Sequence, residues 1–178
     1  MRFNIKLLFF VSYSLILIGC KNNKLNESVI QVLNKEIALP QHSELYKDGE
    51  VVNLESLDTG YKIIILSNDA ECSICDIVKL QDWYEKTLEI GAKCEVVFIT
   101  NNNIDRHIKS VISSDRSNVY IMITDREILL DLSNKLQPFT VFLLDEKGKV
   151  VLTGNPLHNN KLWELYKNVI NGNLDNIN

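Results

Sequence analysis

The sequence is thin in the residues that build metal and nucleic-acid sites. It holds three histidines, His42, His107 and His158, with no ligand spacing among them. Its four cysteines contain a single C-x-x-C, which offers two ligands where a structural zinc site takes four. A C-x-x-x-C with a nearby histidine, the pattern a copper carrier needs, is missing. Lys plus Arg number 19 against 23 Asp plus Glu, a formal charge of −4, and no basic stretch forms the patch that nucleic acid requires. There is no internal repeat. Asparagine recurs, but no segment is low in complexity apart from a short stretch near the start and the last few residues. These absences turn the search toward the cysteines.

The first residues read as an export signal. Arg2 and Lys6 form a short basic region, and residues 7–18 are apolar apart from Ser12, Tyr13 and Ser14. The stretch is shorter than the roughly 20 apolar residues of a spanning helix and ends in small residues, as secretory signals do. The end of it, Leu17-Ile18-Gly19-Cys20, is similar to the lipobox of bacterial lipoprotein precursors. That resemblance implies cleavage before Cys20 and a lipid on its thiol. The expected organisation is a signal at 1–19, a lipidated tether at 20–27 and one domain at 28–178, a size suited to a single core. Loss of Arg2 and Lys6 leaves 17 basic against 23 acidic residues, a formal −6. Cys72, Cys75 and Cys94 stay with the exported part, in a compartment where disulfides persist.

Periodicity sets out the domain. Residues 62–67 (KIIILS) read as a buried strand. After Cys75 a helix follows, with Ile77, Leu80, Tyr84 and Leu88 at three- and four-residue spacing, Trp83 and Thr87 beside them, and Gly91 at its end. Residues 94–100 (CEVVFIT) form a second apolar strand. A helix is expected at 104–112, a strand at 118–123, and a helix capped by Asp125 running to Leu132. Strands at 139–144 and 149–153 flank Asp145-Glu146-Lys147-Gly148, a hairpin signal. The last helix, near 161–170, carries Leu162, Leu165, Tyr166 and Val169 as its apolar face. Asp48-Gly49-Glu50 is a turn before the extended Val51, Val52 and Leu54, and 29–39 gives only a weak signal for either element. Strands alternating with helices imply an α/β sheet covered on both faces, with an antiparallel terminal hairpin.

Cys72-Ser73-Ile74-Cys75 sits where the first strand turns into its helix. Thiols so spaced can close a small disulfide ring, and a thiol at a helix start meets unpaired N–H groups and the positive end of the dipole, which favour a thiolate. Asp69, Glu71 and Asp76 oppose part of that effect, because negative neighbours disfavour a second negative charge. The balance predicts a reductant or isomerase-like exchanger and not a strong oxidant.

A C-x-x-C in this element order resembles the thioredoxin fold. The extra strand–helix unit before the terminal hairpin is similar to the TlpA-like and peroxiredoxin-like branch, as are the lead-in IALPQHSELYKDGEVVNLESLDTGYKIIIL and the hairpin FLLDEKGKVVLTGNP. The chain looks closest to thioredoxin-like lipoproteins of Bacteroidetes-type bacteria, over roughly residues 37–170. The resemblance implies Cys72 as the nucleophile and Cys75 as the resolving cysteine, acting on a protein disulfide or dithiol. It also implies no bound cofactor or metal, a monomer, and a lipid anchor facing the periplasm. Lys21 follows the lipid cysteine where inner-membrane retention often uses aspartate, so the outer membrane is favoured.

Two departures from the family stand out. Glu71 replaces the tryptophan before the first cysteine. The family's cis-proline, which faces substrate, precedes the strand ending FLLD; Pro138, after Gln137, lies one residue too far from it. Either a one-residue bulge absorbs the shift or Pro138 is not that proline. Two rival readings follow: a redox-silent binding module on the same fold, and a thiol peroxidase. The peroxidase needs a threonine and an arginine at the cysteine; Thr100 and Arg106 exist, and nothing in the sequence sets either beside Cys72. Cys94, Trp83 and Trp163 are expected to be packing residues.

Overall fold

The computed structural model describes residues 25–57, 60–67, 73–101 and 118–173, with residues 73–79 as backbone only. The chain divides into two units, Met1–Val32 and Leu33–Asn178. In the first, residues 25–32 form helix α1. The second unit contains every strand among the described residues.

These are β1 (Glu44–Lys47), β2 (Glu50–Val52), β3 (Tyr61–Leu66), β4 (Cys94–Thr100), β5 (Val119–Ile123), β6 (Val141–Leu144) and β7 (Val150–Thr153). They form one sheet in the order β2-β1-β5-β4-β3-β6-β7. β3, β4 and β5 run parallel. β6 turns back along β3 and β7 back along β6, so the terminal hairpin is antiparallel as predicted. β1 pairs with β5 antiparallel and folds over into β2 through the Asp48-Gly49 turn. β4 is buried at all seven positions. A strand with parallel neighbours on both sides and helices over both faces reads as an unbroken apolar run and not as an alternation.

Three helices of this unit are described: α2 (Ser73–Ile90), α3 (Arg126–Leu136) and α4 (Asn160–Ile170). One face of the sheet presents Ile63, Ile65, Val96, Phe98, Ile121, Val141 and Leu143. These pack with Leu80, Trp83 and Ile90 of α2 and with Trp163, Tyr166 and Ile170 of α4. Alternate residues, Ile64, Val97, Ile99, Met122 and Phe142, are buried on the opposite face. α3 lies against β4 and buries Leu129 and Leu136 there.

Two helix faces differ from expectation. In α2 the buried stripe is Leu80, Trp83, Thr87 and Ile90, while Leu88 is exposed. In α4 it is Trp163, Tyr166 and Ile170, with Leu162, Leu165 and Val169 on its flanks. In both, two equally good apolar stripes are offered by the sequence. The one holding the indole wins because a tryptophan removes the most apolar surface from water.

Local chemistry fixes the ends. Gly91 ends α2 at φ 63°, the left-handed conformation that glycine adopts without a Cβ penalty. Asn159 caps α4 by accepting from the Leu162 N–H at 3.1 Å. Asp125 occupies the cap position of α3, but its side chain makes no cap hydrogen bond. In the β6–β7 turn, Asp145 Oδ1 accepts from the N–H groups of Lys147 and Lys149, both at 2.9 Å, and Gly148 takes φ 76°.

Candidate functional site

β3 ends at Leu66 and α2 begins at Ser73. Cys75 and Asp76 belong to the first turn of α2. Cys72, Asp69, Glu71, Arg106, His107, Cys20 and the predicted helix at 104–112 lie outside the described residues. α2 runs back across the sheet to deliver the chain to β4 at Cys94, so its first turn stands at the carboxyl ends of the parallel strands. In open α/β sheets, ligands and reaction centres collect at that edge.

The chain around Pro138 comes to the same edge. The Gln137–Pro138 peptide is cis. Two residues later the Thr140 carbonyl accepts from the Leu66 N–H at 2.8 Å, so the approach to β6 passes the last residue of β3. Gln137 is exposed and its Nε2 donates to Asn134 Oδ1 at 3.1 Å.

The edge also carries a row of hydroxyl residues, of which the sequence singled out Thr100 alone, as the threonine of the peroxidase reading. Ser67 follows β3, Thr100 ends β4, Thr124 follows β5, Ser43 precedes β1, Thr140 precedes β6 and Thr153 ends β7. Leu66 pairs with Ile99, which sets Ser67 beside Thr100, and the Ser67 N–H donates to Ile99 O at 2.9 Å. Ser67 continues the alternation of Ile63 and Ile65, and Thr100 that of Val96 and Phe98. Both therefore belong to the face that α2 covers. Ser67 is 5% and Thr100 2% exposed. The signal was in the sequence: three of the predicted strands close on Ser or Thr. A single Ser or Thr at a strand end says little, and only the register aligns them.

At the other end of the same layer the environment is dry. Cys94, 1% exposed, packs among Ile63, Ile90 and Tyr166. Burial pushes its thiol up to about 12. Burial also raises the Tyr166 hydroxyl, which donates to Gly154 O at 2.9 Å. Trp83 and Trp163 are core residues, as expected, each 2% exposed. Glu89 ties the foot of α2 to α4. It accepts from Trp163 Nε1 at 2.7 Å and from Lys86 Nζ at 3.0 Å, with Lys167 Nζ 3.5 Å away. The indole hydrogen bond, followed by the two lysines, holds its carboxyl below the usual carboxylate range.

The opposite face of the sheet has its own polar cluster. Buried Glu95 stands opposite Lys62 in the β3–β4 register, and Lys47 Nζ donates to Tyr120 Oη at 3.2 Å. This cluster belongs to the amino ends of β3 and β4, away from the α2 start. A cleft of about 550 Å³ lies between residues 35–40 and α3, with Ile37, Leu39, Ile128 and Leu132 in its lining. No predicted site residue lines it. Among the described residues no cluster of His, Cys, Asp or Glu could hold a metal ion, and His42 and His158 lie in separate turns.

The sequence matches no family model and no curated protein. Solved structures do match. A candidate electron transfer protein from Aquifex aeolicus VF5 aligns at TM-score 0.55 and 12% identity, over 82% of this chain and 98% of that one. The yeast mitochondrial 1-Cys peroxiredoxin aligns at 0.51 and 12%, over 77% and 75%. The mitochondrial 2-Cys peroxiredoxin of Plasmodium falciparum aligns at 0.50 and 13%, over 79% and 92%. The fold is thioredoxin-like. This is the fold class the sequence suggested, with the β1–β2 hairpin added at one edge of a mixed seven-stranded sheet.

Proposed function

We propose that this chain is a thiol–disulfide exchanger that reduces disulfides of an extracytoplasmic protein partner through Cys72 and Cys75. The observation that carries the reading is the start of α2. A C-x-x-C motif overlaps the first turn of a helix that begins at the carboxyl edge of the central parallel strands, in a thioredoxin-like sheet. In this reading Cys72, as thiolate, attacks a partner disulfide and forms a mixed disulfide, releasing one partner thiolate. Cys75 then attacks the Cys72 sulfur, closes the intramolecular disulfide and releases the second partner thiol. The partner gains two electrons and the pair loses two. Pro138 and Gln137, beside the end of β3, supply backbone for the incoming chain. Cys20 carries a lipid that tethers the domain at the periplasmic face of the cell envelope, in the outer membrane. The acidic residues around the pair limit how far the thiolate is stabilised and set the direction as reducing.

The test is trapping plus titration. Cys75→Ser should accumulate mixed disulfides through Cys72, and graded thiol buffers should show a reversible Cys72–Cys75 couple near the thioredoxin range, about −270 mV. A pair that never closes, or stays oxidised in strong reductant, would instead mark a binding module.

The peroxiredoxin alignments support a second reading, thiol peroxidation. There the Cys72 thiolate attacks one oxygen of hydrogen peroxide, the other oxygen leaves and takes up a proton to become water, and the sulfenic acid condenses with the Cys75 thiol to give the disulfide and a second water. Stoichiometric loss of hydrogen peroxide by the reduced chain, faster than its reaction with protein disulfides, would select this alternative.

A further inference from the structure

We propose that the open edge of β2 is a docking site for an extended, basic segment of a partner protein, which adds to the sheet as a further strand beside Val51. The inference stands apart from the exchange reading, since it uses neither Cys72 nor Cys75.

The two edges of the sheet differ. Beyond β7, residues 34–37 seal the edge. The Asn34 N–H donates to Val150 O at 2.8 Å, and the Val150 N–H to Lys35 O and the Ile37 N–H to Gly148 O, both at 2.9 Å. Beyond β2 no strand follows among the described residues. The hairpin geometry fixes which groups face outward there. Asp48 and Gly49 take φ 50° and 83°, two left-handed residues in succession, as a two-residue hairpin turn requires. The pair flanking such a turn, Lys47 and Glu50, exchanges both of its ladder bonds. Alternation then turns the N–H and C=O of Val51 away from β1, toward the open edge. The Val51 side chain is 65% exposed and stands opposite Tyr46, which packs against the core. A strand laid there meets a donor, an acceptor and an apolar contact. Such edges accept an extended chain unless a lysine, a proline or a bulge blunts them, and β2 reads Glu-Val-Val with none of these.

Charge selects the occupant. Glu44, Glu50 and Glu55 are exposed in the hairpin and the turn after it, with Asp48 between them. Lys47, the sole basic residue of this stretch, is drawn to Tyr120. It donates to the tyrosine hydroxyl at 3.2 Å, with its Nζ 4.9 Å from the ring centroid. A second copy of this chain would bring the same acids against these, and like charges oppose pairing. A strand carrying lysine or arginine about an apolar residue meets opposite charge along the edge.

The test uses the full chain in an uncharged detergent, isotopically labelled for NMR, with a short amidated peptide of alternating lysine and valine as the probe. At saturating peptide, amide exchange at Val51 should slow about tenfold, while Glu50 and Val52, whose N–H groups face β1, change little. By fluorescence anisotropy the affinity should fall about tenfold in Val51→Pro, which removes the outward N–H at an edge position where proline is tolerated. Glu50→Gln combined with Glu55→Gln should weaken binding several-fold and flatten its dependence on salt. The same peptide methylated at every backbone nitrogen should not bind. Equal binding of the methylated peptide would leave charge alone as the cause and overturn the proposal, as would equal binding of a peptide of alternating glutamate and valine. A lysine–valine peptide that leaves Val51 exchange unchanged also overturns it, and this measurement on the parent decides if Val51→Pro does not fold. Sedimentation that finds the parent dimeric and Val51→Pro monomeric would make a second copy the occupant and overturn it too.

Discussion

The layer between α2 and the sheet changes character from one end to the other. At the foot of α2, Cys94 lies among Ile63, Ile90 and Tyr166, and burial pushes its thiol up to about 12. At the head of α2, the sheet edge ends in buried Ser67 and Thr100 instead of in aliphatic side chains. The same helix thus begins over hydroxyls with its dipole's positive end and finishes over hydrocarbon. A cysteine at the foot is a small apolar residue, whereas the head of the helix presents the positive end of its dipole. Location in this layer sets whether burial opposes ionisation of a thiol, as it does at Cys94.

The largest effect should come from breaking that contrast at the cysteines. Cys72→Ser should reduce disulfide exchange roughly a thousandfold or more, since the attacking thiolate is lost. Cys94→Ala should leave the rate unchanged. In the native protein Cys94 should resist alkylation at pH 8, where about one thiol in ten thousand is ionised for a pKa of about 12. Rapid labelling of Cys94 before unfolding would show that the foot of the layer is wet and dissolve the comparison.

The second effect tests how the foot is packed. Trp83, 2% exposed, belongs to the stripe that seats α2 on the sheet. Trp83→Ala should cost about 3–5 kcal/mol, from lost transfer energy and the cavity left behind. Leu88→Ala, at a position 60% exposed, should stay within about 0.5 kcal/mol of the parent. Chemical denaturation separates the two. Equal losses would return α2 to the stripe that the spacing of Ile77, Tyr84 and Leu88 suggested.

That stripe shows how far the sequence could be read. Strand positions were legible because β3 and β4 are continuous apolar runs, and the Asp145–Gly148 turn was legible because its residues carry their own hydrogen bonds. The fold class followed from the element order with the cysteine pair at its first strand–helix junction. Helix faces were less legible: α2 and α4 each offer two apolar stripes, and only docking selects between them. The candidate site was legible as a motif, not as a setting. Cys72 and Cys75 announce themselves, but Ser67 and Thr100 lie 33 residues apart and become neighbours only through the parallel register of β3 and β4.

A smaller effect is expected where α2 ends. Gly91 has φ 63°, and a Cβ there would meet nothing within 4 Å. Gly91→Ala should therefore cost about 1 kcal/mol, from backbone conformation alone. Gly91→Asn should recover part of it, because asparagine tolerates the left-handed region better than alanine does. A loss several times larger would mean that the turn into β4 shifts Cys94 as well.

The smallest effect concerns the clamp at the foot, and it carries a pH signature. Glu89 joins α2 to α4 through Trp163 Nε1, Lys86 and Lys167, and these hold its carboxyl below the ordinary 4.5. A depressed folded pKa contributes stability above the unfolded value and loses it as pH falls through the folded value. The carboxylate is 42% exposed, so solvent screens it and Glu89→Gln should cost at most about 1 kcal/mol at pH 7. The gap between parent and variant melting temperatures should hold down to about pH 4.5 and close as the carboxylate becomes protonated below it. One molar salt at pH 7 should narrow the same gap, because the two lysine contacts are screened while the indole hydrogen bond is not. A gap that survives unchanged at pH 3 would mean the clamp acts through packing of the Trp163 ring and not through charge, making the foot of the layer apolar in its energetics as well as in its lining.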